Sequence, residues 1–171
     1  MNKFVRLAAL AAVATAVATP AFAAAPVTQQ TTSKAKILKA LQLRKDSDLD
    51  FGTIIVGAVL GTETVSVTSS GRTCGLGVGS KLVCNADPFS VADFNIQGSN
   101  GQTVTITVPD TVTMTNGGSG SLLVDLTAPT SLPLTNSGSP GADFVIEGSV
   151  GLTAATPEGD YTVNFDVTVE Y

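Results

Sequence analysis

Residues 161–171 read Tyr-Thr-Val-Asn-Phe-Asp-Val-Thr-Val-Glu-Tyr, and apolar and polar side chains alternate through the whole stretch. Successive side chains of a β-strand point to opposite faces, so this pattern predicts a strand with one buried face. That face, which is also a candidate surface for assembly, consists of Tyr161, Val163, Phe165, Val167, Val169 and Tyr171. A strand of this kind closes a sandwich, offers an edge for strand exchange, or closes an outer-membrane barrel.

Short apolar runs separated by turn residues extend this reading along the chain. Further strands are predicted at residues 34–43, 49–56, 63–68, 92–97, 103–108, 111–115, 121–127 and 142–152. Residues 98–101, with an Asn-Gly pair, and the glycine-rich residues 116–120 are each predicted to form a hairpin turn. About eight short strands, with no useful helical period after residue 33, predict an all-β antiparallel β-sandwich.

One sequence motif occurs twice. Residues 92–98 and 142–148 share Ala-Asp-Phe-x-Ile-x-Gly. Equivalent strands in two sheets would both need Phe and Ile inside and Gly at the strand end, whereas the alternative is a chance match.

The start of the chain indicates export. Lys3 and Arg6 precede an apolar run at residues 7–18, and Ala21-Phe-Ala23 is typical of a signal peptidase site. We therefore predict a signal peptide at residues 1–23, a flexible segment at 24–33 and a single domain at 34–171. No later apolar run is long enough for a transmembrane helix. The expected location is the periplasm and then the cell surface or the medium.

The charges exclude one class of partner. The formal net charge is −5, the chain has no His, and it shows no basic stripe of the kind that nucleic acid binding requires. Five of the nine cationic residues lie at residues 34–45, none follows Lys81, and ten of the fourteen acidic residues do. This asymmetry predicts either a solvated first strand or an attraction between the start of one subunit and the body of another.

Cys74 and Cys84 are the only cysteines. In an exported chain an even pair predicts a disulfide, here across a short glycine-rich loop. Neither a zinc site nor a redox C-x-x-C motif fits this spacing.

The residue types argue against catalysis. Without His, neither a Ser-His-Asp nor a Cys-His arrangement can form. Asp46, Asp48 and Asp50 alternate as weak candidates for a calcium site, but the Gly and Glu that close an EF-hand loop are missing. We expect a non-enzymatic protein with no cofactor.

Several segments together resemble a bacterial exported family known as domain of unknown function 4402. They are residues 35–43, the Asp48-Leu-Asp-Phe-Gly52 motif, the Gly-Gln-Thr-Val-Thr-Ile run from Gly101, and the Pro-x-Gly-x-Tyr strand from Pro157. The family looks like a relative of chaperone–usher pilins and spore-coat-U-type subunits. The resemblance implies an immunoglobulin-like subunit that assembles with itself or with homologous subunits through a periplasmic chaperone and an usher, by β-strand addition.

The donor strand in such an assembly is left open by the sequence. Ala35, Ile37, Leu41 and Leu43 are the candidate donor residues, but Lys39 interrupts their alternation. If residues 34–43 are instead the first strand of the domain, the subunit is complete in itself or ends a fibre. The alternatives are then a self-contained secreted sandwich for adhesion or matrix, or a small outer-membrane barrel.

Overall fold

A computed structural model describes residues 25–58, 61–75 and 79–171, and all the regular elements in these ranges are β-strands. The predicted signal peptide lies outside the described residues. The chain divides into two compact units, Met1–Ala35 and Lys36–Tyr171, and the strands lie in the second unit. The prediction of an all-β, sandwich-like fold is confirmed.

The strands are short, except for one. They are β1 (Gln42–Ser47), β2 (Ile54–Val56), β3 (Glu63–Thr68), β4 (Gly71–Cys74), β5 (Leu82–Cys84), β6 (Ala92–Gln97), β7 (Thr103–Thr107), β8 (Thr111–Thr115), β9 (Ser121–Thr127), β10 (Ser131–Pro133), β11 (Ala142–Leu152) and β12 (Thr168–Glu170).

These strands form three antiparallel sheets. The main sheet has the order β1-β6-β11-β3-β4, and β9 also pairs with β11 and carries β8 at its other edge. A small sheet has the order β10-β7-β12, and β2 and β5 form a two-stranded ribbon. β11 is the common element, because its first half pairs with β6 and its second half with both β3 and β9.

Two apolar clusters fill the space between the sheets. The first joins the ribbon to β3, β9 and the second half of β11, around Val65, Val67 and Val150. The second joins β6 and the first half of β11 to the small sheet, around Ile96, Val104 and Ile146. All six of these side chains are at most 1% exposed. β11 therefore contributes to both clusters.

The repeated motif forms two adjacent strands of one sheet rather than equivalent strands of two sheets. The copies lie in β6 and the first half of β11 and pair antiparallel, with Phe94 opposite Phe144, and the two rings stack with centroids 5.3 Å apart. In the same register Ala92 faces Ile146 and Ala142 faces Ile96. Each Ile therefore meets a small partner, and the paired motif packs against the second cluster.

Most of the longer strands have the predicted bounds, namely β3, β6, β8, β9 and β11. The predicted hairpin at residues 116–120 is confirmed, since Thr115 pairs with Ser121. The hairpin predicted at residues 98–101 is wrong, because β6 belongs to the main sheet and β7 to the small one. That turn crosses between sheets, and the Gly101 amide donates to the Leu134 carbonyl.

The first strand is also shifted from its predicted position. It was predicted at residues 34–43 but begins at Gln42. Residues 25–40 are all exposed and form no strand. We call residues 25–40 the N-terminal arm. Its adjacent apolar residues, Ile37 and Leu38, would point to opposite faces of a strand. The arm therefore has no continuous apolar face to bury against the domain.

Candidate assembly cleft

A cleft of about 500 Å³ opens between the segment that follows β1 and the segment that begins the last predicted strand. Leu49 and Phe51 line one side, and residues 161–165 line the other. The floor is apolar and consists of Ala92, Phe94, Val112, Met114 and Val124. The cleft therefore reaches side chains of both apolar clusters.

The segment along this cleft is the one whose alternation is strongest in the sequence. Only residues 168–170 form a strand, β12, which pairs with β7 on one side. Thr162 makes an isolated bridge to Thr115 of β8. Between these two points, residues 163–167 make no backbone hydrogen bond to the rest of the described chain. Residues 163, 164 and 166 are exposed, so this stretch presents an open strand edge to solvent.

The predicted buried face of this segment is half-buried rather than fully buried. Phe165, Val167 and Val169 pack against the second cluster, whereas Val163 is 37% exposed and Tyr171 is 43% exposed. From residue 164 to residue 170, exposed and half-buried residues alternate, with Phe165, Val167 and Val169 half-buried, whereas Val163 departs from this pattern. Among the described residues, no strand pairs with residues 163–167 on the cleft side.

The four candidate donor residues do not lie on one strand. Ala35 and Ile37 belong to the arm, and the Ile37 side chain is 90% exposed. Leu41 and Leu43 instead pack against the second cluster of their own domain. The structure thus divides the predicted strand at residues 34–43 between the arm and the domain.

A hydrogen-bonded clasp marks this division, and it was not predicted. The Tyr171 hydroxyl donates to the Lys39 carbonyl at 2.6 Å and accepts from the Ser99 amide at 2.7 Å. The Lys39 amide in turn donates to the Ser99 hydroxyl at 2.6 Å. The root of the arm is therefore held to the turn after β6 and to Tyr171. No local sequence signal could have revealed it, because the three residues are far apart in the chain.

The comparison with known families agrees with this division. A model of the family described as "Domain of unknown function (DUF4402)" matches residues 41–171. The chain belongs to this family. The matched region starts one residue before β1 and contains β1 through β12. No curated protein and no solved structure shows significant similarity to the chain.

Within the family domain, the three aspartates proposed as weak calcium ligands have other partners. Asp46 pairs with Arg44 at 3.0 Å, and Asp48 pairs with Lys45. Asp50 accepts a hydrogen bond from the Gly52 amide at 2.8 Å. In the described ranges, no three acidic or cysteine side chains are grouped as a metal site would require. The same ranges contain no helix with the length and hydrophobicity of a membrane span.

The cysteines of the family domain are paired as predicted. Cys74 ends β4 and Cys84 ends β5, and their Cα atoms lie 5.9 Å apart, within the usual range for a disulfide. The bond links the main sheet to the ribbon. Arg72 strengthens this link, because its guanidinium donates to the carbonyls of Phe51 and Asn85 and lies 4.9 Å from the centre of the Phe89 ring.

Proposed function

We propose that the chain is a non-enzymatic, exported structural subunit, pilin-like or coat-like, that accepts a β-strand in the cleft beside residues 163–167. One observation carries the proposal. Residues 163–167, which make no backbone hydrogen bond within the described part of the chain, lie next to an apolar floor in the segment with the strongest strand pattern.

Addition of a strand would both pair the backbone groups of residues 163–167 and cover the apolar floor. An added strand forms main-chain hydrogen bonds to an open edge, and its alternate side chains fill the pockets behind that edge. Residues 163–167 offer about 17 Å of edge at the usual rise of a strand. The apolar floor would take the inward-facing side chains of the incoming strand.

Export is supported by the predicted signal peptide and by the disulfide, since such bonds persist in oxidising compartments. In the periplasm a dedicated chaperone would fill the cleft first, and an usher would exchange the chaperone for a subunit. This order follows the resemblance to chaperone–usher pilins.

The chemistry of the cleft favours binding over catalysis. Most of its lining is aliphatic or aromatic, and its carboxylates, Asp48 and Asp50, are already engaged by Lys45 and by the Gly52 amide. An acid–base pair would need carboxylates directed at a substrate.

Gel mobility of surface-sheared material, heated and unheated in detergent, tests the proposal. We expect a high-mass ladder that collapses only on boiling. Val163→Asp, which places a charge in the cleft, should abolish the ladder and leave folded monomer. Leu123→Asp is the matched control, because Leu123 is 57% exposed on β9 and does not line the cleft.

A single wild-type band that heating does not change would contradict strand addition. It would favour the alternative function, a self-contained secreted sandwich for adhesion or matrix. A ladder that persists in Val163→Asp would show that the acceptor site lies outside the cleft.

A further inference from the structure

The cleft is bordered by a second open edge, which belongs to β8. Thr115 exchanges two backbone hydrogen bonds with Thr162, at 3.0 and 3.1 Å, on the side of β8 that faces away from β9. In an antiparallel ladder the backbone groups of every second residue point to the same side, so those of Thr113 and Thr111 point the same way as those of Thr115. Within the described part of the chain neither residue makes a backbone hydrogen bond on that side. β8 therefore presents unpaired backbone groups towards residues 163–167.

The bridge between Thr115 and Thr162 fixes the register in which these two edges would pair. In an antiparallel pair, each step forward along one strand is matched by a step back along the other. Continued from the bridge, this rule gives the pairs Val163 with Met114, Asn164 with Thr113, Phe165 with Val112, and Asp166 with Thr111.

The side chains of the two segments are complementary in this register. Four of them are apolar and line the cleft, namely Val112, Met114, Val163 and Phe165. The other four are polar and exposed, namely Thr111, Thr113, Asn164 and Asp166. The apolar pairs fall at the positions without mutual hydrogen bonds, where side chains approach most closely. Pairing would therefore cover Val163, which is 37% exposed.

The far end of the segment is compatible with the same register. Thr168 of β12 lies opposite Thr107 of β7, so both ends of the last segment are held along the continuous stretch from β7 to β8. Between these two points the last segment has five residues, 163–167, whereas the other stretch has seven, 108–114. The two additional residues fit a bulge at residues 108–110, where Pro109 has no N–H to pair.

We propose that residues 163–166 pair with residues 111–114 in a closed state of the domain, and that this closure regulates the cleft. The inference rests on the proposed function, because closure uses the cleft that an added strand would fill. An incoming strand then competes with a segment of the same chain, whose effective concentration is high because it is tethered at both ends. The subunit stays monomeric until a partner strand displaces this segment.

Engineered disulfides in the full exported chain test for the closed state. Thr113→Cys with Asn164→Cys places cysteines at a hydrogen-bonded pair, whose Cα atoms lie about 5.5 Å apart, within disulfide range. The matched control is Thr113→Cys with Asp166→Cys, a diagonal pair about 7–8 Å apart. All three side chains are exposed, so neither variant should disturb folding.

Peptide mass spectrometry after mild oxidation distinguishes each new cross-link from the bond between Cys74 and Cys84. We expect the Thr113→Cys/Asn164→Cys bond to form at least about tenfold faster than the control bond, because a disulfide cannot span more than about 7 Å without backbone movement.

The same variants show whether closure regulates assembly. On the heated and unheated gel, the cross-linked Thr113→Cys/Asn164→Cys protein should give monomer only, whereas the control variant should give the wild-type ladder. Reduction of the cross-link should restore the ladder. Wild type treated with the same reductant controls for loss of the native disulfide.

The outcomes separate this inference from the proposed function. If the two cross-links form at equal rates, the closed state does not exist, and strand addition still stands. If the cross-linked protein assembles as well as wild type, closure does not compete with an incoming strand and the inference is wrong. If the first cross-link forms preferentially but wild type gives no ladder, the closed state is supported, whereas strand addition and its regulation fail together.

Discussion

Gly141, directly before β11, shows at the scale of one residue how closely two parts of the chain approach. Its φ of +86° lies in the left-handed region, and an added Cβ would stand 2.6 Å from the Ile96 carbonyl oxygen. The second close atom is the amide oxygen of Asn95, at 2.8 Å. Asn95 is itself buried and donates to the Pro140 carbonyl and to Asp143.

Gly141→Ala should therefore destabilise the domain by about 3 kcal/mol, through backbone strain together with a clash against fixed backbone. Gly117→Ala is the matched control, because Gly117 has a φ of +72° but open space at its Cβ position. Strain alone there should cost about 1–2 kcal/mol. Urea unfolding measures both. Equal losses would mean that the contact with Ile96 contributes nothing.

Individual residues of this kind are the least predictable part of the structure. Residues 136–141 are visibly glycine- and serine-rich in the sequence, but nothing there shows that Gly141 must approach Ile96. The hydrogen bond of the Tyr171 hydroxyl was equally unpredictable. The sequence places Tyr171 on the apolar face of residues 161–171, whereas its bond to Lys39 joins residues far apart in the chain.

At the scale of elements, Glu63 of β3 holds the segment that leads into β5. Its carboxylate accepts hydrogen bonds from the Ser80 hydroxyl and from the Lys81 amide. The pKa of Glu63 lies below its ordinary value of 4.5, mainly because of the hydrogen bond from Ser80. The Lys81 and Leu82 amides and the Lys81 charge lower it further, whereas burial acts in the opposite direction.

A lowered folded-state pKa means that the carboxylate stabilises the fold above pH 4.5 and loses this effect as the pH falls through the folded value. Glu63→Gln should therefore lower the thermal midpoint at neutral pH, and the gap to wild type should close below pH 4.5. Thermal melts from neutral to acidic pH measure this difference in thermal midpoint. Glu158→Gln, at an exposed carboxylate without a hydrogen bond in the described chain, is the control. A gap that persists unchanged into acid would contradict the assignment.

Prediction succeeded for the β8–β9 hairpin, whose pattern is local, whereas the alternating residues 161–171 form a strand only at 168–170. The alternation in β8 and β9 and the glycines between them define that hairpin without reference to the rest of the fold. β4, β5 and β10 were missed because three or four residues carry too little periodicity to be recognised. The β6–β7 hairpin was wrong because turn chemistry does not specify which strand will be the hydrogen-bonding partner.

At the scale of the whole molecule, the clasp joins the arm, the turn after β6 and the end of the last segment. Its loss should loosen the root of the arm without unfolding the domain. Tyr171→Phe removes the bonds to Lys39 and Ser99, at a net cost of about 1 kcal/mol. This corresponds to about fivefold more local opening.

Limited trypsin digestion measures this opening as cleavage at Lys39. We expect cleavage there to become about fivefold faster in Tyr171→Phe, whereas cleavage at the exposed Lys34 stays constant. Tyr161→Phe is the matched control, since the Tyr161 hydroxyl donates only to the nearby Pro157 carbonyl. Equal rates at Lys39 in wild type and Tyr171→Phe would show that the clasp does not hold the arm.

The overall class of the fold was predictable, but the candidate site was predictable only in part. Residues 161–171 identified one side of the cleft, because alternation is a property of one segment. The opposite side, at Leu49 and Phe51, and the floor depend on how the main sheet and the small sheet pack. The place where the arm ends and the domain begins depended equally on contacts with Ser99 and Tyr171.

The stacked pair of Phe94 and Phe144 lies at the centre of two strands that carry the same motif in opposite directions. Because the strands are antiparallel, each Ala of one copy faces the Ile of the other, so the motif is complementary to a second copy of itself. A self-complementary motif does not distinguish its own chain from another. At high concentration, β6 of one unfolded molecule can therefore find the same partner surface in a second molecule as in its own β11, and refolding should favour the correct monomer most strongly when the chains are dilute.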